Sequence, residues 1–457
     1  LKIASVKIKL FLSGMVVCLT FGCAPVLMAQ THRSVLMISI DGLRPDYVTK
    51  ANMHGLKIPT LRRMLAGGAH ADGVVNVQPT VTYPNHTTLV TGVLPAEHGI
   101  FNNEVFDPDG KEHGGWYWYA QMVRVPTLWQ AAKAAGLATA SVYWPVTVKA
   151  KGIDYNIPEY FRQRTEPDRY LEEALSRPAG MLEELERKAG PFTIRNSDVV
   201  FDDTVARTTI ALIESKHPDF LTVHLVSLDH VEHEHGPFSP EANADLEKID
   251  EMVGRIVAAQ RNAHPDSVIA VVSDHGFAPV RHRIYLNSLL AREGFITLGG
   301  REKTTVESWK AFAWAAGGSA MMMLHDKADG ATRERVLALV TKLSRDPRYG
   351  IAGIIPHKEV VEGGMSPGVA FVVNFKPGYR MAVGFGSPEI EDLTKEEGTH
   401  GYMNSLAAMH SSFFIEGPGI AKGKDLGVID MRQIAPTIAS LLGTTLNAAK
   451  APHLSLQ

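Results

Sequence analysis

The densest run of groups able to do chemistry is Asp229 to Pro237 (DHVEHEHGP). Asp229 and His233 are four residues apart, a spacing that puts both on one face of a helical turn, where a carboxylate and an imidazole can share a metal ion. His230 and His235 lie as near along the chain, so local spacing leaves open which histidine binds. A solvated His- and Glu-rich loop has the same composition. A second signal is Ser273-Asp274-His275-Gly276, where adjacent side chains can reach one ion if the chain turns, and Gly276 permits a tight turn. A third is Thr82-Tyr83-Pro84-Asn85-His86. Pro84 suits the first turn of a helix. A hydroxyl just before it would sit where free N–H groups and the helix dipole favour a phosphate. A coordinated metal can lower the pKa of that hydroxyl and make Thr82 a nucleophile; the commoner fate of such a threonine is a helix cap. The fourth is Gly398-Thr399-His400-Gly401, a histidine whose glycine neighbours let it approach a metal closely.

These groups need strand ends to hold them. Ser34 to Ile40 (SVLMISI) is an apolar, β-branched run ending at Asp41-Gly42, and reads as a buried parallel strand. Phe220 to Leu228 runs the same way into Asp229, and Ser267 to Ser273 into Asp274. Between the last two, Ser239 to Ala263 carries Leu246, Ile249, Val253 and Ile256 at helical spacing. Strands alternating with helices predict a doubly wound α/β sheet, whose functional groups gather at the C-terminal strand ends. The texture changes from about Gly294 to Gly384, with Met321-Met322-Met323, an amphipathic stretch over Arg333 to Leu343, and strand-like runs at Ile351 to Ile355 and Val369 to Phe375. This predicts an inserted α+β cap over residues 294–384, dividing the core into 30–293 and 385–457, closed by a helix around Met431 to Leu442. The methionines read as core filling.

The chain of 457 residues is 45% apolar and 21% charged, as expected of a globular protein with one large core. A net charge of -3 offers no basic surplus for a nucleic-acid groove, so duplex binding is not expected. Lys2, Lys7 and Lys9, the apolar stretch from Leu10 to Cys23, and Leu27-Met28-Ala29 read as a signal peptide over residues 1–29. The stretch is short for a membrane span and contains Gly14 and Gly22. Lipidation at Cys23 is the alternative. Losing the three lysines takes the formal charge from -3 to -6. Cys18 and Cys23 are the only cysteines, so the exported chain would have no internal disulfide; with the apolar stretch removed alongside the signal, no transmembrane segment is expected in it. Periplasmic or secreted placement follows.

Taken together, Ser39 to Tyr47 (SIDGLRPDY), Thr82 to His86 (TYPNH), His98 to Asn103 (HGIFNN), Trp144-Pro145, DHVEHEHGP, SDHG and Thr399 to Gly401 (THG) resemble the alkaline phosphatase superfamily. The resemblance is greatest to its nucleotide pyrophosphatase/phosphodiesterase branch, of the bacterial type. It runs from about Val35 to the closing helix, with the cap matched least. It implies two zinc ions, one held by Asp229, His233 and His400, the other by Asp41, Asp274 and His275, with Thr82 between them. The family spacing selects His233 over His230 and His235. Asn103 would hydrogen-bond a nonbridging phosphate oxygen, assisted by the backbone N–H of Tyr83. The implied chemistry is in-line attack by Thr82 on phosphorus, a covalent phosphothreonine ester, and its hydrolysis.

The substrate would be a small phosphate ester or nucleotide. For a diester, the Tyr83 ring is the stacking candidate for a base, with Tyr160 and Phe161 as another wall. A sulfatase would need Cys or Ser in place of Thr82, which excludes it. A phosphomonoesterase would aim extra cations at the phosphate, and Lys149 and Lys151 are available. Phosphonoacetate hydrolase, a lipid headgroup phosphodiesterase and a noncatalytic metal-binding module are the remaining alternatives.

Overall fold

The computed structural model describes residues 32–457 apart from 112–114, 161–168, 194–197, 301–303 and 387. The expected signal segment, Cys23 and Phe161 lie outside the described residues.

The Val35–Ile40 strand is buried along its whole length because it is covered on both faces. Leu36, Ile38 and Ile40 point into one apolar cluster, Val35 and Met37 into another. Period-two alternation of side chains requires this division when helices lie on both sides of a sheet. The strand pairs in parallel with Phe220–Leu225 on one side and Val268–Val272 on the other. Beyond Phe220–Leu225 come Thr139–Val142 and Tyr155–Ile157, also parallel. Beyond Val268–Val272 the Phe413–Glu416 strand runs antiparallel, followed by Ala69–His70 and Lys424–Asp425. The result is a doubly wound, mostly parallel sheet of eight described strands.

The first cluster is roofed by the helices Pro59–Gly67, Met181–Ala189, Val199–Lys216 and Pro240–Ala263. Ser239 caps the last of these by accepting the N–H of Ala242. The second cluster is covered by Leu128–Ala134 and the closing helix Ile434–Leu441.

The inserted region builds its own four-stranded antiparallel sheet in the order Ala311–Ala316, Ser319–Leu324, Val369–Phe375, Ile351–Pro356. The helix Gly330–Ser344 packs on it through Val336 and Val340. Met321, Met322 and Met323 lie in the second strand, all buried. The packing of this region reaches past its sequence limits: Leu286, Leu289 and Leu290 join its core, and Ala278–Ile284 forms a separate sheet with Gly378–Met381 and Ile390–Thr399. Residues His32–Gln457 form one compact unit.

Candidate active site

Two neighbouring parallel strands deliver the first carboxylates. Val35–Ile40 ends at Asp41, and Val268–Val272 ends just before Asp274-His275. Gly42 turns the chain away at φ +75°, and its N–H donates to Asp274 Oδ1 at 3.2 Å. A Cβ at Gly42 would stand 2.9 Å from the Glu232 carboxylate and 3.0 Å from the Phe277 ring, so a side chain has no room there.

The third strand differs from its sequence reading. Phe220–Leu225 stops short, and Asp229 sits in the first turn of a helix, Ser227–His235. Buried Asp202 explains the break by accepting the N–H groups of Val226 and Ser227, both at 2.9 Å. The helix brings His233 Nε2 to 3.5 Å from Asp229 Oδ2, while His233 Nδ1 donates to the Gly398 carbonyl at 3.0 Å. His230 and His235 instead face Glu234, each at 3.7 Å. Glu232 is fully buried and accepts the Tyr47 hydroxyl, so it ties the helix to the core.

His400 is seated by the glycines around it. A Cβ at Gly398 would come within 2.3 Å of the Glu232 carbonyl, and one at Gly401, where φ is +86°, within 1.7 Å of the Ala316 carbonyl. The loop thus runs close between the Ser227–His235 helix and the insert. His400 Nδ1 donates to the Thr80 carbonyl at 3.1 Å, leaving Nε2 3.7 Å from Asp229 Oδ1. Its ring stacks on His275 at 3.7 Å.

The centre of this arrangement is electrostatically unbalanced. Asp41 Oδ1, Asp229 Oδ1 and Asp274 Oδ2 are buried without hydrogen-bond partners, and lie 3.4, 4.0 and 3.1 Å from His275 Nε2. Burial, then the charge of Asp229, pushes the Asp41 pKa up; burial, then Asp41, does the same to Asp274. Burial drives His275 well below the usual histidine range and takes His400 down to about 4. Unpartnered carboxylate oxygens and imidazole nitrogens thus converge on one place, a geometry that a divalent cation relieves. At this centre two groups of donor atoms each lie within 4.8 Å of one another: Asp41, Asp274 and His275, and Asp229, His275 and His400. The first is one of the two expected ligand sets. The second shares Asp229 and His400 with the other expected set and has His275 where His233 was expected. Carboxylates and imidazoles together are a donor set suited to zinc.

Thr82 opens the helix Thr82–Thr91, every residue of which is buried. So polar a helix survives burial because its side chains bond back to carbonyls four residues earlier: His86 to Thr82, Thr87 to Tyr83, Thr88 to Pro84 and Thr91 to Thr87. The cap position is Val81, so the Thr82 hydroxyl is not spent on capping. It lies 3.3 Å from His275 Nε2 and accepts from Asn103 Nδ2 at 3.4 Å. Asn103 is fixed by the Tyr83 N–H, which donates to its Oδ1 at 2.8 Å.

The Tyr83 ring is fully buried and its hydroxyl donates to Glu159 at 2.7 Å, so it has no face to offer a base. Tyr160 packs against Trp118 at 4.8 Å. The cleft beside the acids and imidazoles holds about 340 Å³ and is lined by Asn103, His233 and His400 on one side and Phe106, Trp116 and Trp314 on another. Its one Lys or Arg among the described lining residues is Arg380. Lys149 and Lys151 line a different cavity, of about 680 Å³, with Arg124.

Two buried residues at the site were not among the sequence candidates. His224 contacts Asp41 Oδ2 through Nε2 and Glu159 Oε2 through Nδ1, each at 3.0 Å. Burial alone would lower its pKa, but the bond to Glu159 and the surrounding carboxylates outweigh it and raise it. The signal available in the sequence was an ionisable ring inside an apolar strand, FLTVHL.

The family model for type I phosphodiesterase / nucleotide pyrophosphatase matches residues 35–403. Human ectonucleotide pyrophosphatase/phosphodiesterase family member 1 is 28% identical over 269 residues, 56% of this chain and 25% of that protein. Venom phosphodiesterase 2 of Crotalus adamanteus is 26% identical over 258 residues, 54% of this chain and 27% of its own. The chain thus spans about a quarter of the length of these curated relatives. Among solved structures, murine ectonucleotide pyrophosphatase/phosphodiesterase 5, an inactive variant in complex with AMP, superposes with a TM-score of 0.64 at 22% identity. That match covers 92% of this chain and 97% of that one.

Proposed function

The chain belongs to the type I phosphodiesterase / nucleotide pyrophosphatase family, and from that premise we propose that it is a two-zinc phosphodiesterase with Thr82 as nucleophile. The observation that carries the proposal is the uncapped Thr82 hydroxyl, 3.3 Å from His275 Nε2 amid three unpartnered buried carboxylate oxygens. Asp41, Asp274 and His275 would hold one zinc; Asp229, His233 and His400 would hold the other, with His275 close to both groups. Bound zinc lowers the pKa of a hydroxyl or water and offsets charge on phosphate oxygens.

The residues of the chain divide the remaining work. Thr82 Oγ attacks phosphorus, forming a Thr–O–P ester as the bond to the leaving oxygen breaks. Water then cleaves that ester and regenerates the hydroxyl. Asn103 Nδ2 donates to a nonbridging oxygen at the start of the buried helix, where the dipole favours negative charge. Phe106, Trp116 and Trp314 form an apolar wall for the second substituent of a diester or for a nucleotide base. With Lys149 and Lys151 lining another cavity, Arg380 is the one Lys or Arg among the described residues that line the cleft, fewer cations than a monoester dianion calls for. This favours small phosphate diesters and nucleotide phosphoanhydrides over monoesters.

We place the working compartment outside the cytoplasm. The cysteines are confined to Cys18 and Cys23, within the stretch read as a signal peptide. Asn85 of the sequon Asn85-His86-Thr87 is fully buried and bonded to Val77, Pro79 and Val81, a position a glycan cannot share with the fold. That argues for a periplasmic or other non-glycosylating route.

The test is a kcat/KM comparison of bis(p-nitrophenyl) phosphate, p-nitrophenyl phosphate and the p-nitrophenyl ester of thymidine monophosphate on zinc-loaded protein. Either diester should exceed the monoester; the reverse order would replace this reading with a phosphomonoesterase.

A further inference from the structure

We propose that Glu159 and His224 form a buried strut between the nucleophile helix and the metal ligand Asp41, which makes His224 a positioning residue for the site of Asp41, Asp274 and His275. The inference rests on the two-metal reading above and extends it to residues that touch neither substrate nor metal.

The strut is a continuous line of hydrogen bonds. The Tyr83 hydroxyl donates to Glu159 Oε1 at 2.7 Å, His224 Nδ1 meets Glu159 Oε2 at 3.0 Å, and His224 Nε2 meets Asp41 Oδ2 at 3.0 Å. Tyr83 follows Thr82 directly, so the line begins beside the nucleophile and ends on a ligand. All four side chains are buried. His224 lies in a strand whose six residues are all buried and pairs in register with Ser39, two residues before Asp41, so its ring lies on the face from which Asp41 projects.

A histidine in such a strand is costly unless its polar atoms are satisfied. Here one partner is a ligand and the other is tied to the helix that carries the nucleophile. The bond to Oδ2 fixes the Asp41 carboxylate about its terminal torsion. It leaves Oδ1, which has no partner, directed at His275 Nε2 3.4 Å away. Outer partners of metal-binding carboxylates act in this way, by orienting the donor atom before the ion arrives. Glu159 carries the constraint further, since the other end of the strut sets where the first turn of the Thr82 helix stands. The separation between nucleophile and ligand is therefore held by a path independent of the metals.

The experiment compares wild type with His224→Phe, His224→Gln, Glu159→Gln and Tyr83→Phe. Zinc affinity and stoichiometry are read by titration against a competing chromogenic chelator, with melting of each metal-free chain as the folding control. His224→Phe should keep one tightly held zinc and bind the second more weakly by about 10- to 100-fold. His224→Gln, which retains a donor, should recover part of that loss. Tyr83→Phe should leave both affinities unchanged and lower kcat with KM unaltered, because only the far end of the strut is cut. If His224→Phe does not fold, Glu159→Gln and Tyr83→Phe carry the test. Wild-type affinity for two zinc ions in folded His224→Phe or in Glu159→Gln, or wild-type kcat in Tyr83→Phe, overturns the strut and leaves the phosphodiesterase reading standing. A wild-type chain that binds fewer than two zinc ions overturns both.

Discussion

The backbone N–H of Tyr83 donates to Oδ1 of Asn103 at 2.8 Å. This bond sets which end of the amide meets the nucleophile, and Nδ2 consequently faces the Thr82 hydroxyl at 3.4 Å. Removing the donor should cost transition-state stabilisation. Asn103→Ala is expected to lower kcat on bis(p-nitrophenyl) phosphate by about 10²- to 10³-fold, the usual loss for one oxyanion donor. Asn103→Asp preserves an acceptor for Tyr83 but has no N–H, and should lose at least as much. Activity within threefold of wild type in Asn103→Asp would show that the Tyr83 bond, and not donation to phosphate, is what matters.

Thr82→Ala should fold, keep its metals and lose at least about a hundredfold in kcat, because no neighbouring side chain supplies a second nucleophile. Rapid quenching of wild type should trap phosphate on Thr82. Turnover near wild type in the alanine variant would mean that water attacks phosphorus directly.

The three partnerless carboxylate oxygens around His275 make metal binding part of folding stability. Stripping the protein with a chelator should lower its melting temperature, and zinc should restore it. Ligand linkage contributes about 4 kcal/mol per site at a thousandfold excess over Kd. Elemental analysis should find about two zinc ions per chain, by analogy with other two-metal hydrolases. Full activity with calcium or magnesium alone would exclude zinc as the required ion.

His98 gives a pH dependence away from the metal ligands. It is fully buried; its Nδ1 accepts the Ile100 N–H at 3.1 Å, and its Nε2 lies 3.2 Å from the Thr88 hydroxyl. Burial takes its pKa down from 6.5 to about 3. The unfolded chain therefore binds the proton first, so this contribution to stability is complete above about pH 6.5 and is lost as the pH falls toward 3. Between pH 7 and pH 5 the loss is about 2 kcal/mol. Urea melts of wild type and His98→Gln should show their stability difference shifting against wild type by about that amount. Parallel pH curves would mean that His98 is not held neutral.

Much of this candidate site could be read from the sequence because the residues proposed as ligands announce themselves by place. Asp41 and Asp274-His275 follow apolar runs, and the spacing from Asp229 to His233 fits a helical turn that the structure contains. In the sequence, the glycines beside His400 read as room for the histidine to approach a metal; in the structure they admit the carbonyls of Glu232 and Ala316. What escaped depended on contacts between distant segments. Nothing local tells that Asp202 ends the Phe220–Leu225 strand early, that Glu159 in a proline-containing loop reaches His224, or that the Tyr83 ring turns inward. Leu286, Leu289 and Leu290 precede the change of texture at Gly294, yet pack with the insert through the tertiary fold.

The order of the candidate ligands along the chain separates the two donor groups. Asp41, Asp274 and His275 are all present once residue 275 has been synthesised, whereas Asp229 must wait for His400. A ribosome midway through the insert thus carries one complete donor set and one unfinished set. The later set also depends on the insert itself, because the Gly401 turn seats against the carbonyl of Ala316. The insert in this sense helps seat His400, and the two donor groups are completed at different points along the chain.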